Sequence, residues 1–263
     1  MSALRRFCLV LAASAVLLAG SPTVAGALPL TSDRPPGPVS SIGVLDHDGR
    51  PVLAELYLLV PPGADPHDVA ARAKRANGVR EVTEADLEAF GFSLDPGLPF
   101  SQFTDRSRKN DHVVQHYNPA GDPTGGAALQ ALLDTHTTWN AVKTSNFEFR
   151  FGGLTDRPFD VFDGFNDVVW EPLAEGSTLG LTITVWTEAA IVESDVLLNT
   201  ALAPESSWAT DGGDVDVESV LLHENGHALG LGHSDDNDAV MYPFYTGVRR
   251  QPAPDDIAGV STL

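Results

Sequence analysis

Cysteine is almost absent. Cys8 is the only one in 263 residues, and it lies in an N-terminal stretch expected to be removed, so no internal disulfide can form and a stapled small scaffold is excluded. Basic charge is scarce as well. Sixteen Lys and Arg face 36 Asp and Glu, a formal net charge of −20, which disfavours nucleic acid and anionic membrane surfaces as partners because both would repel the chain. No apolar run suits a stable membrane span: the stretch from Phe7 to Leu18 is short and is followed by Gly, Ser and Pro. With Arg5 and Arg6 before it and Ala25-Gly26-Ala27 after it, that stretch reads as a secretory signal peptide over 1–27, and the mature protein is expected outside the cell. The arginine pair matches a twin-arginine signal poorly, and the export route stays open.

What is present is enough apolar residue, 43%, to bury a core. Residues 28–41 are rich in Pro and Ser and read as a flexible leader. A strand-like run (52–60), an Asp-led helical stretch (65–76) ended by Gly78 and a second strand-like run (79–83) form a small strand-helix-strand unit, with a further short helical stretch at 84–90. Residues 28–105 are thus either a propeptide or a small N-terminal module. The stretch from Asp95 to about Asn118, with Arg106, Arg108 and Lys109, reads as exposed and open to processing, placing a domain boundary near 105 and a main domain over 106–263. There the periodicity predicts an amphipathic helix over 125–142, with His136 and Trp139 as packing residues. Strands follow over 147–151, 167–170, 179–186 and 191–199, an α+β pattern.

The chemistry concentrates in residues 221–245. In a helix over 221–229, His223 and His227 stand one turn apart on one face, where both imidazoles can reach a single ion, and Glu224 can polarise a bound water. The helix is expected to begin near Asp214–Asp216 and to stop at Gly230, where a left-handed residue turns the chain back, so His233 can complete a three-nitrogen site with a fourth position open. A lone histidine is more often a packing residue; three, with Glu and Gly at fixed offsets and Met241 downstream, are not.

These residues resemble the metzincin zinc endopeptidases, and within them the matrixin, matrix metalloproteinase-like branch: Ser234 follows the third His, and Met241-Tyr242-Pro243 is similar to the family's Met-turn. The resemblance implies an α+β metzincin catalytic domain with a twisted, mostly parallel sheet, one antiparallel edge strand above the cleft, a long packing helix, the metal helix and a C-terminal helix. It implies one catalytic Zn2+ on His223, His227 and His233, Glu224 as general base and protein or peptide substrates. It further implies a substrate-pairing edge at Leu179, Gly180 and Leu181, and a pocket wall at Pro243 and Tyr245. Two departures stand out. No cysteine switch exists, and the absence of His between Asp163 and Asn199 argues against a second zinc. Calcium is a further candidate, at Asp235, Asp236 and Asp238 or at Asp211, Asp214 and Asp216. A closing helix is expected after Pro254, with Ile257 and Val260 buried, no hemopexin-like domain beyond it, and a monomeric protein. The rival reading is a non-catalytic zinc-binding interaction protein of the same fold. Asn225, beside the metal helix's Glu, has no role that the spacing explains.

Overall fold

A computed structural model describes residues 40–47, 50–60, 65–81, 111–160, 162–173, 178–187, 190–204 and 206–263. The stretch read as a signal peptide, most of the Pro-rich leader, the helix expected at 84–90 and the basic cluster at 106–109 lie outside them. Among the described residues, no helix is long and apolar enough to cross a membrane.

The strands are β1 (Ser40–His47), β2 (Arg50–Leu59), β3 (His112–Tyr117), β4 (Glu148–Leu154), β5 (Asn166–Glu171), β6 (Gly180–Thr187), β7 (Ala190–Asn199) and the short pair β8 (Trp208–Ala209) and β9 (Val215–Asp216). The helices are α1 (Pro66–Ala76), α2 (Ala127–Asn140), α3 (Val217–Leu229) and α4 (Pro254–Val260). Seven strands make one sheet in the order β1-β2-β6-β7-β5-β3-β4. From β4 to β7 neighbouring strands run parallel; β6 is antiparallel to β7, as the family resemblance implies. This is an α+β molecule with a mixed sheet.

The sheet is covered on both faces, so its central strands are buried on both sides. In β5 the four inner residues, Asp167 to Trp170, are all buried. One face carries α1, whose Val69 and Ala73 share a cluster with Leu56, Leu58, Leu181, Ile183 and Leu197. The other carries α2 and α3, with Ala128, Leu132, Val220 and Leu221 against Val168, Val196 and Leu198. His136 and Trp139 pack as expected: His136 stacks on Phe149 with ring centroids 4.9 Å apart, and the Trp139 indole donates to the Leu222 carbonyl at 3.0 Å.

Five expectations need correction. Residues 40–47, expected partly as leader, form β1, a hairpin partner of β2 over eight register pairs. The strand expected over 79–83 reduces to a single bridge, Val44 to Arg80, within what is described. Residues 112–117, expected as exposed chain, are a strand inside the sheet, because Val113, Gln115 and Tyr117 alternate inward. The strand expected at the edge above the cleft is interior: β2 pairs with β6 over six residues. Finally, α4 buries Val260 but leaves Ile257 38% exposed. The helix is turned so that Asp256, 2% exposed, faces inward and accepts the backbone N–H groups of Val240 and Met241 at 2.8 and 3.0 Å.

Candidate active site

The metal helix begins where its first-turn donors find a partner: Asp216 caps α3 and its carboxylate accepts from Ser219 N–H at 3.0 Å. It ends at Gly230, whose φ of 117° is the left-handed region a side chain would strain, and Leu231 N–H then bonds back to the Gly226 carbonyl at 3.0 Å. That tight exit brings the Leu231 carbonyl within 2.7 Å of His227 Nδ1. Correspondingly, His223 Nδ1 donates to the Val240 carbonyl at 2.7 Å.

A carbonyl can only accept, so both Nδ1 atoms carry the proton and both Nε2 atoms present lone pairs. These lone pairs converge. His227 Nε2 lies 3.0 Å from His223 Nε2 and 3.2 Å from His233 Nε2, and the three ligand atoms fall within 4.8 Å of one another. Burial pushes His223 down to about 4 and His227 and His233 well below the usual histidine range, so the rings are neutral. Three neutral imidazoles with lone pairs pointed together repel unless a cation sits between them, and nitrogen donors in this number suit zinc. Among the described residues this is the only group of three or more His, Cys, Asp or Glu able to hold a metal. Asp216, a member of one acidic group considered for calcium, is committed to its cap and to Arg250.

Glu224 is fully buried beside the triad. Burial raises its carboxyl to about 8, while the Thr182 hydroxyl, donating to Oε2 at 2.5 Å, acts the other way. Its Oε1 has no hydrogen-bond partner. The carboxylate fits there because position 180 is glycine: a Cβ would come within 2.5 Å of Oε1. A second close approach lies below the helix, where a Cβ on Gly226 would stand 2.2 Å from Met241 Sδ. Met241 therefore floors the site. Its turn is tied to the His233 loop by Ser234 N–H donating to the Met241 carbonyl at 2.9 Å, and to α4 through Asp256.

The residues expected to hold substrate surround this centre, but a strand of the chain itself lies along them. Leu179 N–H donates to the Leu59 carbonyl at 2.8 Å, Val60 N–H donates to the Pro243 carbonyl, and Tyr245 N–H donates to the Val60 carbonyl. The Tyr57 ring stacks on His227 with centroids 4.1 Å apart. The spacing of residues did not reveal Tyr57, Thr182 or Asp256. Asp256 showed itself only as one of two acids in a helix start. Asn225 now has a place: its side-chain oxygen accepts from Gln115 at 2.9 Å, its amide donates to Thr135 at 2.8 Å, and Gln115 in turn contacts His136 at 2.7 Å.

Comparison with known proteins bears on this geometry. The family described as Peptidase_M10, Matrixin, matches residues 104–263. The chain is 38% identical over 192 residues to human matrix metalloproteinase-27, covering 68% of this chain and 32% of that protein. It is 43% identical over 59 residues to karilysin of Tannerella forsythia, 22% of this chain and 12% of the relative. To the Arabidopsis thaliana metalloendoproteinase 5-MMP it is 53% identical over 51 residues, 19% of this chain and 14% of the relative. The chain thus spans under a third of the length of each of these relatives.

Proposed function

The chain belongs to the matrixin family, and from that premise we propose that it is a secreted zinc-dependent metalloendopeptidase hydrolysing internal peptide bonds of proteins. In this reading His223, His227 and His233 hold the zinc, Glu224 is the general base and Met241 underlies the metal. The observation that carries it is the convergence of three imidazole nitrogens, two on buried rings and one on a half-buried ring, beside a buried carboxylate with one free oxygen. A bound zinc would supply a water of lowered pKa and polarise the scissile carbonyl.

The protein's own groups do the rest. The carbonyls of Val240 and Leu231 fix the tautomer and aim of His223 and His227, keeping their Nε2 atoms free of protons. Glu224, raised to about 8 by burial, binds a proton readily once it is ionised and releases it to a departing amine, the two transfers a peptide hydrolase needs. Thr182 holds one of its oxygens and leaves the other for the water. Leu179, Gly180 and Leu181 on one side and Pro243 and Tyr245 on the other would hold an extended substrate by main-chain hydrogen bonds. Export is supported by the basic pair and apolar stretch that open the sequence.

The test is hydrolysis of casein by the purified protein with and without a chelator. The expected result is cleavage that stops on chelation and returns with added zinc. Cleavage that is indifferent to chelation, or its absence in zinc-loaded protein, would overturn the reading.

A further inference from the structure

We infer that Asn199 is a positioning residue for substrate: its side chain turns the Thr178–Leu179 peptide unit so that the Leu179 N–H faces the groove, where an extended peptide takes it. This rests on the peptidase reading above and adds the residue that sets the main-chain grip at Leu179.

Asn199, the last residue of β7, is fully buried, and every hydrogen-bonding position on its side-chain amide is used. Oδ1 accepts the N–H groups of Leu173 at 3.0 Å and Ala201 at 2.8 Å. Nδ2 donates to the carbonyls of Thr178 at 2.7 Å and Ala201 at 3.3 Å. The amide fits only one way round, since the reverse would set its oxygen against carbonyls and its NH2 against N–H groups. Behind it, the Trp208 indole donates to the Asn199 carbonyl at 2.7 Å.

The tie to Thr178 matters because of what lies at the other end of the same peptide unit. A trans peptide is planar, with its C=O and N–H pointing opposite ways, so fixing the Thr178 carbonyl fixes the direction of the Leu179 N–H. That N–H points away from β7 and donates to the Leu59 carbonyl at 2.8 Å. The Leu179 carbonyl also turns to β7, where it accepts the Asn199 N–H at 3.0 Å. In a regular strand successive carbonyls alternate between the two edges. Here two in a row face β7, and Asn199 satisfies both, one with its side chain and one with its main chain. The regular pairing of β6 with β7 begins only at Gly180, opposite Leu198. The Thr178 carbonyl therefore lies beyond the ladder, and the Asn199 amide is what holds it.

The segment that takes the Leu179 N–H in this structure is β2, an extended strand antiparallel to β6. An external peptide lying along the same line meets the same donor, through a main-chain hydrogen bond that is blind to side chains. Two effects strengthen that bond. The N–H is already oriented before the peptide arrives, so binding does not have to order it. Its peptide unit is also polarised by the donor on the opposite carbonyl, which makes the N–H a better donor. The substrate class is an extended peptide long enough for one of its carbonyls to reach Leu179, and length, not sequence, is what Asn199 makes the site read.

Deuterium exchange and peptide kinetics on the full-length protein test this. In the metal-free parent the Leu179 amide should exchange slowly. Asn199→Ser is too short to span to the Thr178 carbonyl, and Asn199→Asp keeps the acceptor but sets a second oxygen against that carbonyl. Each should speed exchange at Leu179 by at least about 10-fold while the Leu181 and Ile183 amides match the parent. The zinc-loaded proteins are then given a nested series of peptides, lengthened one residue at a time from each end. For the parent, KM should fall about 3–10-fold at one added residue with kcat unchanged, the worth of one hydrogen bond made equally before and during the reaction. In both variants that step should disappear at an unchanged zinc content. Unchanged exchange at Leu179, exchange raised uniformly along β6, or a KM step that survives in either variant overturns the inference and leaves the peptidase reading standing. A zinc-loaded parent that cuts neither the peptides nor casein overturns the peptidase reading, and the inference with it.

Discussion

Asn225 shows how far a single residue depends on partners distant in sequence. It is fully buried one position after Glu224, and its amide closes a chain through Gln115 and Thr135 that keeps α3 in register with β3 and α2. Replacing it by leucine leaves the buried Gln115 amide without its acceptor, at about 1–3 kcal/mol, while the Thr135 hydroxyl keeps the Leu132 carbonyl. Asn225→Leu is therefore expected to lower the denaturant midpoint with an unchanged slope, read by urea unfolding. Glu193 makes a pH-dependent case. It is 1% exposed and accepts the N–H groups of Phe162, Asp163 and Gly164; burial still raises its carboxyl to about 7, against an ordinary 4.5. The folded state then binds a proton that the unfolded state has released, so stability falls as pH rises from about 4.5 to about 7, by roughly 3 kcal/mol. Asp195 beside it is raised for the same reason and has the same sign. Melting temperature against pH should show this decline, and Glu193→Gln should flatten it. The metal residues were legible from spacing because four residues make one helical turn. Asn225 was not, since its partners lie 110 and 90 positions away and local periodicity carries no trace of them.

At the scale of elements, the site depends on β6 and α3 approaching closely, and Gly180 is the residue that allows it. Gly180→Ala places a methyl group on the Glu224 carboxylate, which must move by about an ångström, a displacement able to cost on the order of 100-fold in turnover. The expected result is lower kcat on a peptide substrate with zinc content unchanged, measured by metal analysis on the assayed sample. The same scale explains which elements the sequence disclosed. β5, β6 and β7 are rich in Val, Ile and Leu and bounded by turn residues, and α3 carries its cap and its stop. β3 reads His-Val-Val-Gln-His-Tyr, whose buried Gln115 serves the Asn225 network, so a polar residue concealed an interior strand. β4 was expected to alternate, yet only Phe149 is buried and Phe151 is 39% exposed: β4 is the outer strand, and its register slips opposite Gln115 and His116. β1 follows a Pro- and Ser-rich stretch and gains its order from pairing with β2, a tertiary contact that no local pattern announces.

For the whole molecule, the absence of disulfides is offset by ties between distant segments. Arg250, near the C-terminal helix, reaches the fully buried Asp216 at the start of α3, and also Glu218. Asp256 of α4 holds the Met241 turn, which in turn orients His223. The N-terminal hairpin extends the same sheet and lies over the histidines, so one continuous framework carries both the site and the strand that covers it. In the proposed function Glu224 acts as the base at a metal held by three histidines. The most direct measurement is the turnover of Glu224→Gln protein whose zinc content has been verified, on a peptide substrate. One zinc per chain with kcat reduced by at least about 100-fold is the expected result, in keeping with the loss of a general base. A fully loaded Glu224→Gln protein as active as the parent would contradict it.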